Sequence, residues 1–242
     1  MAKITVGWMY PNLLNLHGER GSIQALVHVG KQLGIDVEVC RIEDFDDAIP
    51  FAQLDLMVFL PGEIEMFHYL IPALNRQRTE LDAFLNNDGY LLALGTSGLM
   101  FGSSVTREDG STLDCLNYLD LTAVERKYVW GDDLHFRIDD PAMELAGSQI
   151  MMADVTTSTP LGTTIYGRGN NKTGTEGARW KNLIYTNCLG PALVKNPWFA
   201  EWIIREICVR KNIPIEGSAD HRIAKDSFNS TLRFIQKKVT NV

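Results

Sequence analysis

The sequence has no long apolar run. Its most apolar stretches, LDLMVFL at 54–60 and GYLLALG at 89–95, fall far short of the roughly 20 residues a helical bilayer span requires, so no membrane crossing is expected. Positive charge is not in surplus either. Lys and Arg number 23 against 30 Asp and Glu, a formal charge of −7, and a nucleic-acid partner, which selects for a basic face, is not expected. Cysteine is scarce. Cys40, Cys115, Cys188 and Cys208 form no CxxC pair and no zinc set with the five scattered histidines, so reduced packing cysteines and no metal are expected. The opening MAKITVGWMYPN lacks the charged start, apolar stretch and cleavage site of a secretory signal, which fits a cytoplasmic location.

What is present is alternation. KITVGWMY reads as a strand, RGSIQALVHVGKQLG as a helix closed by Gly34, IDVEVCRI and LDLMVFLPG as strands, LIPALNRQRTELDAFLNNDG as one amphipathic helix, and YLLALGTSGLMFG as strand, turn and helix. Strands separated by helices imply right-handed βαβ units and a mostly parallel sheet, with ligands bound beyond the carboxyl ends of its strands. After about residue 103 the texture changes. SSVTREDGSTL is hairpin-like, LDLTAVERKYVWGDDLHFRID and the stretch from IYGRGNN to NLIYT read as strands joined by turns, NPWFAEWIIREICVRKN is a closing helix, and HRIAKDSFNSTLRFIQKKV is a last one. The fold class is α/β with antiparallel additions in the second half, in a single domain over 1–242 with a helical tail from about 216.

The Pro61-Gly62 and Gly95-to-Gly98 turns both lie at the expected ligand edge. A strand, a tight turn and a helix start present a crest side chain, backbone N–H groups and a favourable dipole. Here the crest is Gly95, with no nucleophile. Thr96 and Ser97 have hydroxyls, and their ordinary role is to N-cap the following helix. Glu63 and Glu65 could act as an acid-base pair or hold a metal; the ordinary reading is a solvated helix start. Cys188 stands at another strand-to-turn junction and is expected to pack rather than react. GRGNN at 167–171 reads as a turn, an anion cradle being its alternative.

Taken together, YPNLLNLHGERGSIQAL, GRGNN, EGARWKNLIYT and LGPALVKNP resemble, in this order and over nearly the whole chain, motifs of the class I glutamine amidotransferase-like family of the cobyric acid synthase type. The branch with the glutaminase subunits of lipid II isoglutaminyl synthases is the most similar. The resemblance implies a flavodoxin- or Rossmann-like three-layer sandwich, no cofactor, and hydrolysis of glutamine by a Cys-His pair whose ammonia passes to a partner synthetase, here one resembling the Mur ligases.

The same resemblance implies a stripped site. The family's Cys-Gly-Gly-Tyr-Gln falls on Gly95, Thr96, Ser97, Gly98 and Leu99, the histidine before Gly-Pro falls on Leu189, and a Gly-Gly-Gly-x-Asp-x-Glu-Gln stretch falls on 60–67, keeping Gly62 but placing Pro61, which has no N–H, in the oxyanion cradle. Shifting the match by one position puts Thr96 at the crest and Cys188 at the base, and still supplies no imidazole. Such parts act as one unit, so glutaminase activity is expected to be absent. The positions left to line a pocket are Pro61, Gly62, Glu63, Glu65, Gly95, Thr96, Ser97, Gly98, Cys188 and Leu189. Three roles follow as expectations, in this order: a binding or partner subunit, a pocket repurposed for a small-molecule ligand or another reaction, and last an active glutamine amidotransferase with a non-standard nucleophile such as Ser97 or Cys188.

Overall fold

Six strands gather into one sheet in a computed structural model that describes residues 2–240. Strand β1 (Ala2–Met9) leads through helix α1 (Arg20–Gln32) to β2 (Ile35–Ile42), then β3 (Leu56–Phe59), helices α2 (Phe67–Arg76) and α3 (Arg78–Asn86), and β4 (Tyr90–Leu94). After the intervening strands, β11 (Ala178–Trp180) and β12 (Leu183–Thr186) complete it. The order is β11-β12-β4-β3-β1-β2, parallel throughout except for β11 at one edge. Every residue of β3, β4 and β12 is buried, as expected of central strands covered on both faces. Helix α1 packs against α5 (Pro197–Arg210). Helices α2 and α3, which connect β3 to β4 in the opposite direction along the sheet, take the other face under the right-handed crossover rule, and the three-layer α/β expectation holds.

The strands between β4 and β11 make a second sheet of their own, antiparallel but for one parallel pair. Strands β5 (Ser104–Thr106), β6 (Thr112–Asp114), β7 (Leu121–Ile138), β8 (Met143–Thr157), β9 (Gly162–Tyr166) and β10 (Thr175–Glu176) are ordered β10-β9-β7-β5-β6, with β8 paired to β7. Their centre is the long β7-β8 hairpin, whose register shifts between Glu125 and Trp130. Only β11 joins the parallel sheet as an antiparallel addition.

The single helix expected over 70–89 is two. Gln77 breaks it with φ −116° and ψ 30°, because its side chain is used elsewhere: Oε1 accepts the Ile49 N–H at 2.8 Å and Nε2 donates to the Asp47 carbonyl at 3.1 Å. Each such bond contributes about 1 kcal/mol. Gln77→Ala is therefore expected to cost about 1–2 kcal/mol, read as a lower urea midpoint with unchanged m-value.

After the short helix α4 (Ala192–Lys195) and α5, the chain ends in α6 (Arg222–Thr240). Only Ile235 of α6 is buried. The rest of its grip is peripheral: Phe228 meets Trp198 edge-on at 5.3 Å, and Lys238 donates to Asp132 at 2.8 Å and Asp133 at 2.7 Å. No helix among the described residues is long and apolar enough to cross a membrane.

Candidate functional site

Because β3, β4 and β12 are parallel neighbours, their carboxyl ends emerge side by side. The three turns that follow, at Pro61-Gly62, Gly95 and Cys188-Leu189, therefore meet although they are far apart in sequence. Gly95 has φ +60°, a left-handed conformation that glycine adopts without penalty. A Cβ placed there would lie 3.0 Å from Pro61 Cβ and 3.3 Å from Leu189 Cδ2. Gly95 and Leu189 are buried. The crest of the elbow is filled by a proline and a leucine.

The segment after the crest is a 3-10 helix, Gly95–Phe101, that starts at Gly95 itself with Leu94 at its cap position and no side-chain cap. Thr96 and Ser97 thus lie inside its first turn and cap nothing, contrary to the expectation from sequence. Their hydroxyls face the neighbouring strand instead. Thr96 Oγ1 donates to the Gly62 carbonyl at 2.5 Å and accepts the Gly62 N–H at 3.1 Å. Ser97 Oγ reaches the carbonyls of Phe59 and Leu94, both at 3.0 Å. The cradle glycine's N–H is therefore bound to Thr96, and the preceding Pro61 has none to offer. Gly98 packs so closely on the Tyr185 ring that a Cβ has no room; the place to which the resemblance assigns a tyrosine is filled by a tyrosine from β12.

The remaining positions separate. Cys188 is buried and its thiol is pushed up by burial, with Glu176 and Glu19 acting in the same direction, the opposite of an activated nucleophile. Glu65 points away and pairs with Arg107 at 2.6 Å. Glu63, Pro61, Gly62 and Thr96 line a cavity of about 190 Å³ beside the crest. Sequence reasoning missed its other walls: Leu16 and His17 from the turn before α1, and Val129, Ile150 and Met152 from the β7-β8 hairpin. Burial lowers the His17 pKa, with Glu63 opposing more weakly. No group of three or more His, Cys, Asp or Glu among the described residues could hold a metal.

The family-like motifs occupy a different place, around the loop that carries Leu189. Glu19 of HGERG is buried and accepts the N–H groups of Gly190 (2.5 Å) and Ala192 (3.1 Å) and the Ser22 hydroxyl (3.0 Å). Burial raises its pKa against those bonds. Glu176 of EGARW, also buried, accepts from Thr186 (2.8 Å), the Asn187 N–H (2.6 Å) and Asn187 Nδ2 (3.1 Å). In GRGNN the N–H groups of Arg168 and Gly169 both go to Gln149 Oε1 at 3.2 Å, and Asn170 Nδ2 donates to the Gly177 carbonyl at 2.9 Å, so this stretch is a tied turn. Asn196 of VKNP bonds both the N–H and the carbonyl of Ala146, at 2.9 and 3.0 Å. These residues hold the frame, and the positions in contact with Gly95 are the ones that depart from the pattern.

Solved structures share this fold. A chain of the PurLQS structure from Thermotoga maritima matches at a TM-score of 0.56 and 10% identity, covering 86% of this chain and 99% of that one. A glutamine amidotransferase crystal structure from the same organism matches at 0.52 and 11%, covering 87% and 86%. No protein-family model matches the sequence. Two curated relatives do: the lipid II isoglutaminyl synthase (glutamine-hydrolyzing) subunits GatD of Streptococcus pneumoniae, 25% identical over 80% of this chain and 76% of the relative, and of Staphylococcus aureus, 26% identical over 89% of each. The chain is thus similar in sequence to the GatD subunits and in fold to glutamine amidotransferases.

Proposed function

We propose that this chain does not hydrolyse glutamine and serves as a binding subunit for a partner, with a Mur-ligase-like synthetase as the partner class. The observation that carries the reading is the crest: Gly95 has no side chain, and the space beside it holds Pro61 and Leu189. A glutaminase of this type needs a thiolate, a base and an oxyanion donor acting together. Thr96, Ser97 and Cys188 do not replace them, since both hydroxyls are bonded to backbone carbonyls and the thiol is buried. The relatives are named as subunits of a synthase, and the intact motifs around the Leu189 loop fit a chain kept folded for assembly. The reading places the chain in the cytoplasm as a single domain.

Two measurements test it. Glutamate release from glutamine is expected to be no greater than from a Ser97→Ala/Cys188→Ala control, alone or beside the synthetase; release that depends on either residue would overturn the reading. Affinity purification after co-expression with a Mur-ligase-like synthetase from the same genome is expected to recover both chains. A second reading, a pocket repurposed for a small molecule, is favoured by the cavity beside the crest.

A further inference from the structure

The cavity beside Gly95 has a definite chemistry. Its walls are mainly apolar, from Leu16, Pro61, Val129, Ile150 and Met152. Its one side-chain hydroxyl, Thr96, already donates to and accepts from Gly62 and offers little to a guest. No lysine or arginine lines it. The ionisable side chains are Glu63 and His17, both exposed. A carboxylate at the mouth of an apolar recess suits a cationic head with a short apolar tail and opposes a carboxylate guest, which would face Glu63. The lowered pKa of His17 works the same way, because a neutral imidazole adds no positive charge near pH 7. At the packing density of a protein interior, a recess of 190 Å³ has room for about 140 Å³ of ligand atoms.

We propose that this cavity binds small primary alkylamines, the ammonium held at Glu63 and the alkyl chain against Leu16, Val129, Ile150 and Met152. The inference rests on the reading that the elbow no longer acts on glutamine, and it gives that same site a ligand of cationic rather than oxyanionic character.

The test is calorimetric titration of the purified chain with n-pentylamine, the homologous n-alkylamines and pentanoate at constant ionic strength. Saturable one-site binding of pentylamine is expected, strengthening about three- to fourfold per added methylene until the recess is full, with no binding of pentanoate. Glu63→Gln, a change at an exposed position, should weaken pentylamine about three- to fivefold. Ile150→Trp, which fills the recess, should abolish binding while circular dichroism reports an unchanged fold. Pentanoate binding as tightly as the amine, affinity indifferent to Glu63→Gln, or no saturable amine binding by the folded wild type would overturn the proposal. Glutamate release measured on the same preparation separates the two readings. A flat trace with no amine binding removes only the ligand assignment, whereas glutamate release removes the functional reading beneath it.

Discussion

Gly95→Cys is expected to destabilise the protein by about 3 kcal/mol and to release no glutamate. The left-handed backbone at φ +60° costs a side-chain-bearing residue about 1–2 kcal/mol. The new Cβ would arrive 3.0 Å from Pro61 and 3.3 Å from Leu189, overpacking that costs about 1–3 kcal/mol more. In a chain of this length the sum is a fall of about 6 to 12 °C in melting temperature, and Gly95→Ala should reproduce most of it because strain and contact both begin at Cβ. The thiol would still lack an imidazole, since the adjoining position is Leu189. A Gly95→Cys variant as stable as wild type would show that the crest is looser than these contacts indicate.

Glu176→Ala is expected to be at least as damaging, at about 3–5 kcal/mol. Removing the carboxylate strands the Thr186 hydroxyl, the Asn187 N–H and the Asn187 side-chain amide in a buried site, and each stranded donor costs about 1–3 kcal/mol. The protonation of Glu176 adds a pH signature. Burial raises its pKa, and the bonds from Asn187 and Thr186 offset this only in part. A carboxyl whose folded-state pKa lies above its unfolded value stabilises most below the unfolded value, near 4.5, and this contribution fades as pH rises through the folded value. Wild-type stability in chemical denaturation should therefore decline relative to Glu176→Ala as the pH is raised from that point. A difference that grows with pH would contradict this assignment.

The sequence made the parallel sheet and the crest legible for one reason. Buried strands such as Leu56–Phe59 and Tyr90–Leu94 are continuous apolar runs ending in glycine or proline, and neighbouring parallel strands must end at one edge. That logic brought the Pro61-Gly62 and Gly95 turns to one edge, while Leu189 joined them only through the family resemblance. What it missed depends on distant partners. Gln77 breaks a helix because of a loop 28 residues away. Thr96 and Ser97 turn from capping to the carbonyls of Gly62 and Phe59 because the 3-10 turn begins at Gly95, two residues before a Thr96 cap and three before a Ser97 cap would start it. Val129, Ile150 and Met152 reach the cavity only because the antiparallel strands form a sheet of their own, and His17 joins them through a backbone at φ +59° that no periodicity announces.

The contact of Gly95 with Pro61 and Leu189 also bears on how this sequence can change. The three residues sit on three separate turns, and a thiol at the crest collides until its neighbours are altered, while an imidazole at 189 would face no thiol as long as position 95 is glycine. A side chain added at the crest alone is thus expected to give a less stable protein. Proline and leucine act as a latch at this position: other apolar fillings of similar volume can take their place, but a side chain at the crest requires coordinated substitutions on the turns after β3, β4 and β12.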